Sequence, residues 1–131
     1  MGKRYLIDTN VLIYFLKAAL PESGFLFIKD VLNTSSIFSF VTQIELLGYP
    51  SISLQEEAGA RLIIQSSSVI LVNEAIIEET ISIRKNYKIK LPDSIIAATA
   101  IVNDLSLITA NQKDFSRIES LHLIDPFTVS F

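Results

Sequence analysis

The chain has no cysteine and a single histidine, His122, among its 131 residues. Without cysteine there is no disulfide framework, no thiolate zinc site and no cysteine nucleophile. One histidine leaves His-rich metal sites and His-based proton relays without material. Long apolar runs are also missing. Crossing a bilayer takes about 18–20 apolar residues, and the longest runs here, Val11 to Leu16 and Ile95 to Val102, reach half of that or less. The N-terminal Met-Gly-Lys-Arg-Tyr leads into a short apolar stretch that Asp8 interrupts, which does not fit a signal peptide. Leu6 stands where a myristoylation signal needs Ser or Thr. Excess positive charge is lacking too: the net charge is -3 and the pI is near 5.1. That excludes a broadly cationic coat that binds nucleic acid by charge alone, though it allows a local basic groove. These absences predict a soluble, cytoplasmic protein whose chemistry, if any, falls to carboxylates.

What is present suits a packed domain. Half the residues are hydrophobic and 19% are charged, enough apolar matter for a core and too much for disorder. The length predicts one domain over residues 1–131. Short β runs alternate with helical stretches. Tyr5 to Ile7, Ile37 to Val41, Val69 to Val72, Leu105 to Thr109 and Leu121 to Ile124 read as strands. Val11 to Ala19, Glu22 to Asn33, Thr42 to Leu47, Leu54 to Ile64, an Asn73-capped helix through Tyr87, and Pro92 to Asn103 read as helices. Such alternation predicts a parallel sheet with helices on both faces.

Four acids stand near helix starts: Asp8, Glu45, Asp93 and Asp114. Each has a purely structural explanation. Asp8 suits the N-cap of the first helix. Glu45 follows Thr42 at capping-box spacing. Asp93 follows Pro92 and complements a helix dipole. Asp114 suits the cap of a short segment from Phe115 to Glu119. Taken together they carry a further meaning. In parallel α/β sheets the crevice lies outside the carboxyl ends of the strands, where helices begin, so folding would gather the four at one edge. Clustered carboxylates repel one another, and a hard divalent cation offsets that cost. Oxygen-only ligands favour Mg²⁺ or Mn²⁺ over zinc. Such a pocket suits phosphodiester hydrolysis.

Five stretches, YLIDTNVLIYFLK (Tyr5 to Lys17), TQIELLGYP (Thr42 to Pro50), LPDSIIAATA (Leu91 to Ala100), LITANQKDF (Leu107 to Phe115) and LHLIDPF (Leu121 to Phe127), resemble the PIN domain family, and within it the VapC-type toxin ribonucleases of toxin–antitoxin pairs. The resemblance spans the chain in order and spacing. It implies a three-layer α/β/α fold with a short, mostly parallel sheet, and a Mg²⁺- or Mn²⁺-dependent endoribonuclease. It makes Asp8 and Asp93 direct ligands, has Glu45 bind metal or its water, and has Asp114 act through water or a second ion. Water would attack the phosphorus in line, leaving a 5′-phosphate and a 3′-hydroxyl. Thr9 and Asn10 would hold Asp8 and approach the substrate phosphate, unless they only start the helix. Asn111 would organise the site or form a turn. Ser94 would donate to a phosphate or serve its helix.

The resemblance also implies partners: an RNA substrate, a homodimer, and a small antitoxin whose C-terminal segment lies in an apolar groove and sends a cation toward the acids. The helices Val11 to Ala19 and Glu22 to Asn33 are candidates for that groove. Lys3, Arg4, Arg84, Lys85, Lys88, Lys90, Lys113 and Arg117 are available to flank RNA. The Arg84 to Lys90 cluster is the foremost of these, although cations also suit the C-terminal end of a helix. Tyr14, Phe15 and Tyr49 read as packing residues and His122 as structural. Two other classes compete. A catalytically idle PIN-fold binding module would usually have lost one or more acids, and this chain keeps four. An aspartate-based phosphohydrolase of the Asp-x-Asp-x-Thr type would need an acid at position 10 and threonine at 12, where Asn10 and Leu12 stand.

Overall fold

Short apolar runs that point alternate side chains to opposite faces build each strand and divide the interior in two. The computed structural model describes residues 4–129. In chain order the elements are β1 (Tyr5–Ile7), α1 (Thr9–Leu16), α2 (Glu22–Thr34), β2 (Ile37–Ser39), α3 (Phe40–Leu47), α4 (Leu54–Gln65) and β3 (Ser68–Ile70). They continue with α5 (Glu74–Asn86), α6 (Leu91–Val102), β4 (Ser106–Ile108), α7 (Gln112–Phe115) and β5 (Leu123–Ile124). All strand pairing among the described residues is parallel, β1 with β4, β4 with β5, and β2 with β3. The ladders form two groups, β1-β4-β5 and β2-β3, and β1 lies against β2.

Period-2 alternation sorts the strand residues. Leu6, Ile37 and Leu107 join a core with Ile76 and Ile83 of α5, Ile96, Ala97 and Ala100 of α6, and Phe115. Their neighbours Ile7, Phe38 and Ile108 join a second core with Val11 and Leu12 of α1, Ile28 and Val31 of α2, Leu46 of α3 and Ala60 of α4. The result is the expected three-layer α/β/α arrangement with a short parallel sheet. Fully burying one such large apolar side chain contributes about 1.5–3 kcal/mol relative to water. No helix among the described residues is long and apolar enough to cross a membrane.

Helix ends differ from the sequence expectations in instructive places. Asn73 caps α5 as expected, its Oδ1 accepting from Ile76 N at 2.9 Å. Helix α1 begins at Thr9 rather than Val11, and Pro92 takes the second position of α6 rather than the first. The box between Thr42 and Glu45 does not form. Ser39 caps α3 instead, accepting from Val41 N at 3.1 Å, so the helix starts at Phe40 and Glu45 falls in its second turn. Asp114 lies inside α7 rather than capping the segment after it.

Helix α1 closes with paired bonds from Ala18 N to Phe15 O (3.1 Å) and from Ala19 N to Tyr14 O (2.8 Å), with Ala18 in the left-handed region at φ 54°. This Schellman geometry usually carries glycine. Ala18→Gly is therefore expected to raise stability by about 0.5–1 kcal/mol, the left-handed strain outweighing the extra backbone entropy. Denaturant unfolding checks this, and a loss of stability would contradict it.

Candidate active site

Strand β1 ends where the backbone N–H of Asp8 donates to Ile108 O at 2.9 Å, so the side chain emerges at the carboxyl edge between β1 and β4. Asp8 is the N-cap of α1, and Oδ1 accepts from Thr9 N at 2.8 Å. Capping uses only one oxygen. The other, Oδ2, accepts from the Thr109 hydroxyl at 2.7 Å. Asp8 is 4% exposed, and burial pushes its carboxyl up from 3.8 to about 6. The donors Thr109 and Thr9 oppose that rise, and the charges of Asp93 and Glu45 add to it.

Helix α3 brings in the second acid. The Thr9 hydroxyl donates to Glu45 Oε1 at 2.7 Å and lies 3.2 Å from the hydroxyl of the buried Thr42. Thr9 thus ties the acid after β1 to the acid on α3. Asp93 enters from the first turn of α6. Its carboxyl is raised by burial first, then by the charges of Glu45 and Asp114, with Lys90 acting the other way. Asp8, Thr9, Asn10, Ile13, Glu45, Tyr49 and Asp93 line one open pocket of about 260 Å³.

The remaining anticipated residues fall in different places. Asp114 stands beside the pocket rather than in its lining, close enough for its charge to act on Asp93. Its Oδ2 accepts from Asn111 Nδ2 at 3.1 Å, and its Oδ1 lies 3.9 Å from Arg117 Nη2. Asn10 Oδ1 accepts from Ala110 N at 3.3 Å and pins α1 to the end of β4. Ser94 is fully buried and its hydroxyl donates to Lys90 O at 2.9 Å, so it does not line the pocket. His122 is exposed, with Nδ1 2.8 Å from Ser106 Oγ. Tyr14 packs edge-on against Phe127, and Phe15 stacks on Phe25. Lys3 lies outside the described residues.

Sequence reading passed over two participants. Thr109, completely buried, holds Asp8 with its hydroxyl proton while its oxygen accepts from Asn111 N at 2.9 Å, linking the first acid to the N-cap of α7, the helix that carries Asp114. Its available signal was a hydroxyl directly after an apolar strand, where the crevice of a parallel sheet opens. Tyr49, expected only to pack, lines the acidic pocket, with Lys17 Nζ 5.8 Å from its ring centre.

Three carboxylates share the pocket, and two of them hold their protons more tightly than usual. Among the described residues no group of three His, Cys, Asp or Glu side chains forms a ready-made cation cage. The donor set nonetheless fits a hard divalent ion. All its donors are oxygen, its charges repel, and an ion such as Mg²⁺ keeps several waters and needs only one or two carboxylates plus substrate phosphate.

The PIN domain family model matches residues 5–121. No curated protein sequence matches the chain. A chain of a toxin–antitoxin complex from Klebsiella pneumoniae is 29% identical with a TM-score of 0.77, over 95% of this chain and 99% of that one. A chain of VapBC-1 from nontypeable Haemophilus influenzae is 28% identical with a TM-score of 0.75, over 93% and 97%. A chain of DNA-bound VapBC from Salmonella typhimurium shares the fold at 24% identity, with a TM-score of 0.79 over 95% and 99%.

Proposed function

The chain belongs to the PIN domain family, and from that premise we propose that it is the toxin of a VapBC-type toxin–antitoxin pair, a divalent-metal-dependent endoribonuclease of the cytoplasm formed by one PIN domain over residues 1–131. The observation that carries this reading is the meeting of Asp8, Glu45 and Asp93, from β1–α1, α3 and α6, in one pocket where their charges act on one another.

Asp8, Glu45 and Asp93 would hold Mg²⁺ or Mn²⁺, with Asp114 acting from the rim. When bound, the ion supplies Lewis acidity to water and charge neutralisation at the scissile phosphate. The chain's own groups do the rest. Thr109 and the Thr9 N–H fix both Asp8 oxygens. Thr9 holds Glu45 Oε1, leaving Oε2 to accept a proton from the attacking water. Asn10, whose Oδ1 is engaged by Ala110, offers its Nδ2 to a phosphate oxygen. Asn111 orients Asp114.

The antitoxin surface follows from continuity. A shallow depression of about 10 Å³, walled by Ile13, Leu16, Leu46, Tyr49 and Ile52 and by the Lys17–Glu56 ion pair, shares Ile13 and Tyr49 with the acidic pocket. A further groove between α1, α2 and α4 holds Phe15, Leu32 and Ile63. An antitoxin C-terminal segment lying there would place a cation at the acids. A second copy of the chain would cover the exposed Val72, Ile77, Ile81 and Leu91 of the α5–α6 face.

The test is cleavage of a mixed cellular RNA pool with Mg²⁺ or Mn²⁺, with the new 5′ ends sequenced. Defined cuts bearing 5′-phosphate are expected, abolished by a chelator and restored by adding the ion back. Cleavage undiminished by chelation would overturn the reading.

A further inference from the structure

A concavity opposite in charge to the acidic pocket lies at the turn into α6, the helix that carries Asp93. It measures about 440 Å³ and is lined by Arg84, Lys85, Asn86, Tyr87, Lys88 and Ile89, the end of α5 and the turn into α6. We propose that this turn is a docking site for the RNA phosphate backbone, which leads a strand to Asp93; the proposal rests on the ribonuclease reading and adds where the substrate is held.

Three observations carry it. First, these cations form no ion pair with a carboxylate among the described residues. Among the described residues, ion pairs join Lys17 to Glu56, Arg61 to Glu57 and Arg117 to Asp114. Arg84, Lys85, Lys88 and Lys90 take part in none, although acids outnumber basic residues in this chain. Second, a helix dipole does not account for all of them. Its effect fades within the last turn, which contains Arg84 and Lys85, whereas Lys88 and Lys90 lie beyond it. Third, the turn is held at the rim of the active site. Arg84 Nη1 donates to Ile89 O at 2.7 Å, fixing the loop from within. Arg117 Nη1 donates to Lys88 O at 3.4 Å while its Nη2 lies 3.9 Å from Asp114 Oδ1. Lys90, the N-cap of α6, directly precedes the first turn that carries Asp93. A phosphate backbone seated on Lys85 and Lys88 would pass Lys90 on its way to the acids.

The experiment compares the full-length chain with a Lys85→Gln/Lys88→Gln double variant, and uses Lys29→Gln on α2 as a distant charge control. Binding of single-stranded RNA long enough to span both sites is measured in chelator between about 50 and 200 mM salt. Each lost phosphate contact removes about 0.7 from the slope of log K against log salt, so the double variant should lose about 1.4 and Lys29→Gln nothing. With metal present, KM for long RNA should rise while kcat holds, and a dinucleotide substrate should be cleaved as by the wild type. An unchanged slope and KM in the double variant would overturn the proposal. So would a slope loss in Lys29→Gln equal to half that of the double variant, which marks a net-charge effect. Unchanged RNA binding with lost binding of polyglutamate would also overturn it, assigning the turn to an acidic protein. Should the wild type cleave neither long nor short RNA, the ribonuclease reading fails, and the salt slopes still decide the docking site.

Discussion

Asp8→Asn is expected to cut cleavage by about 10²-fold or more, since even an outer partner of a metal ligand is worth about 10–100-fold, and, at neutral pH, to make the metal-free protein more stable. Both effects come from one carboxylate. Asp8 is almost fully buried, and its carboxyl sits at about 6 instead of 3.8. A group that holds its proton more tightly in the folded state favours the fold fully below its unfolded value, and that contribution is lost as pH rises through the folded value. For Asp8 the window runs from about pH 4 to pH 6. Above it, the ionised side chain costs the metal-free fold about 3 kcal/mol relative to its protonated form. Asparagine keeps an oxygen that accepts from the Thr9 N–H without the charge, and its Nδ2, which cannot accept from the Thr109 hydroxyl as Oδ2 does, donates to that hydroxyl's oxygen instead. The variant should therefore match the wild type in stability near pH 4 and exceed it by up to about 3 kcal/mol near pH 7. Asp93, also raised, acts with the same sign and remains in both proteins. Urea unfolding across this range, beside RNA cleavage, checks the pair of effects. A variant that is less stable at pH 7, or that cleaves like the wild type, would contradict the account.

Thr109→Val is expected to destabilise the protein by about 1.5–3 kcal/mol at pH 7, the worth of a hydrogen bond to a buried charge. The substitution keeps the shape and removes the hydroxyl that holds Asp8 Oδ2 and accepts from Asn111 N. It leaves an ionised oxygen without that donor, so the Asp8 carboxyl should rise further. The deficit should shrink near pH 4, where Asp8 is protonated and the lost bond is a neutral one. Cleavage should fall with it, because Asp8 loses its orientation and Asn111 its anchor to the strand. Thr109→Ser should restore both stability and cleavage. Equal destabilisation at pH 4 and pH 7 would mean that Thr109 only fills space.

The sequence made some of this legible and left other parts hidden, for physical reasons. Asp8 and Asn73 declare themselves as helix starts because capping is local chemistry. The structural alternative for Glu45, a capping box with Thr42, does not form because Ser39, three residues before Thr42, caps α3 first, and the helix then carries Glu45 into its second turn. Once freed from the cap, Glu45 meets Thr9 across 36 positions. Thr109 was passed over since its partner lies 101 residues away, and no periodicity encodes such a contact. Ser94, beside Asp93, suits either a phosphate contact or a helix role by sequence; successive helix residues point about 100° apart, and it takes the second, turning inward to Lys90 O. The alternation of Leu6 with Ile7 and of Leu107 with Ile108 was readable as apolar runs. Only the fold shows that each pair feeds two different cores.

Crystals of the full chain soaked in Mn²⁺ test the central claim most directly, through the anomalous signal of the ion. The account predicts a peak in the pocket within ligand distance of Asp8 and Asp93, about 2.0–2.2 Å as for a small hard cation, and its loss in Asp8→Asn. A pocket without manganese at saturating concentration, in a protein that still cleaves RNA, would contradict it.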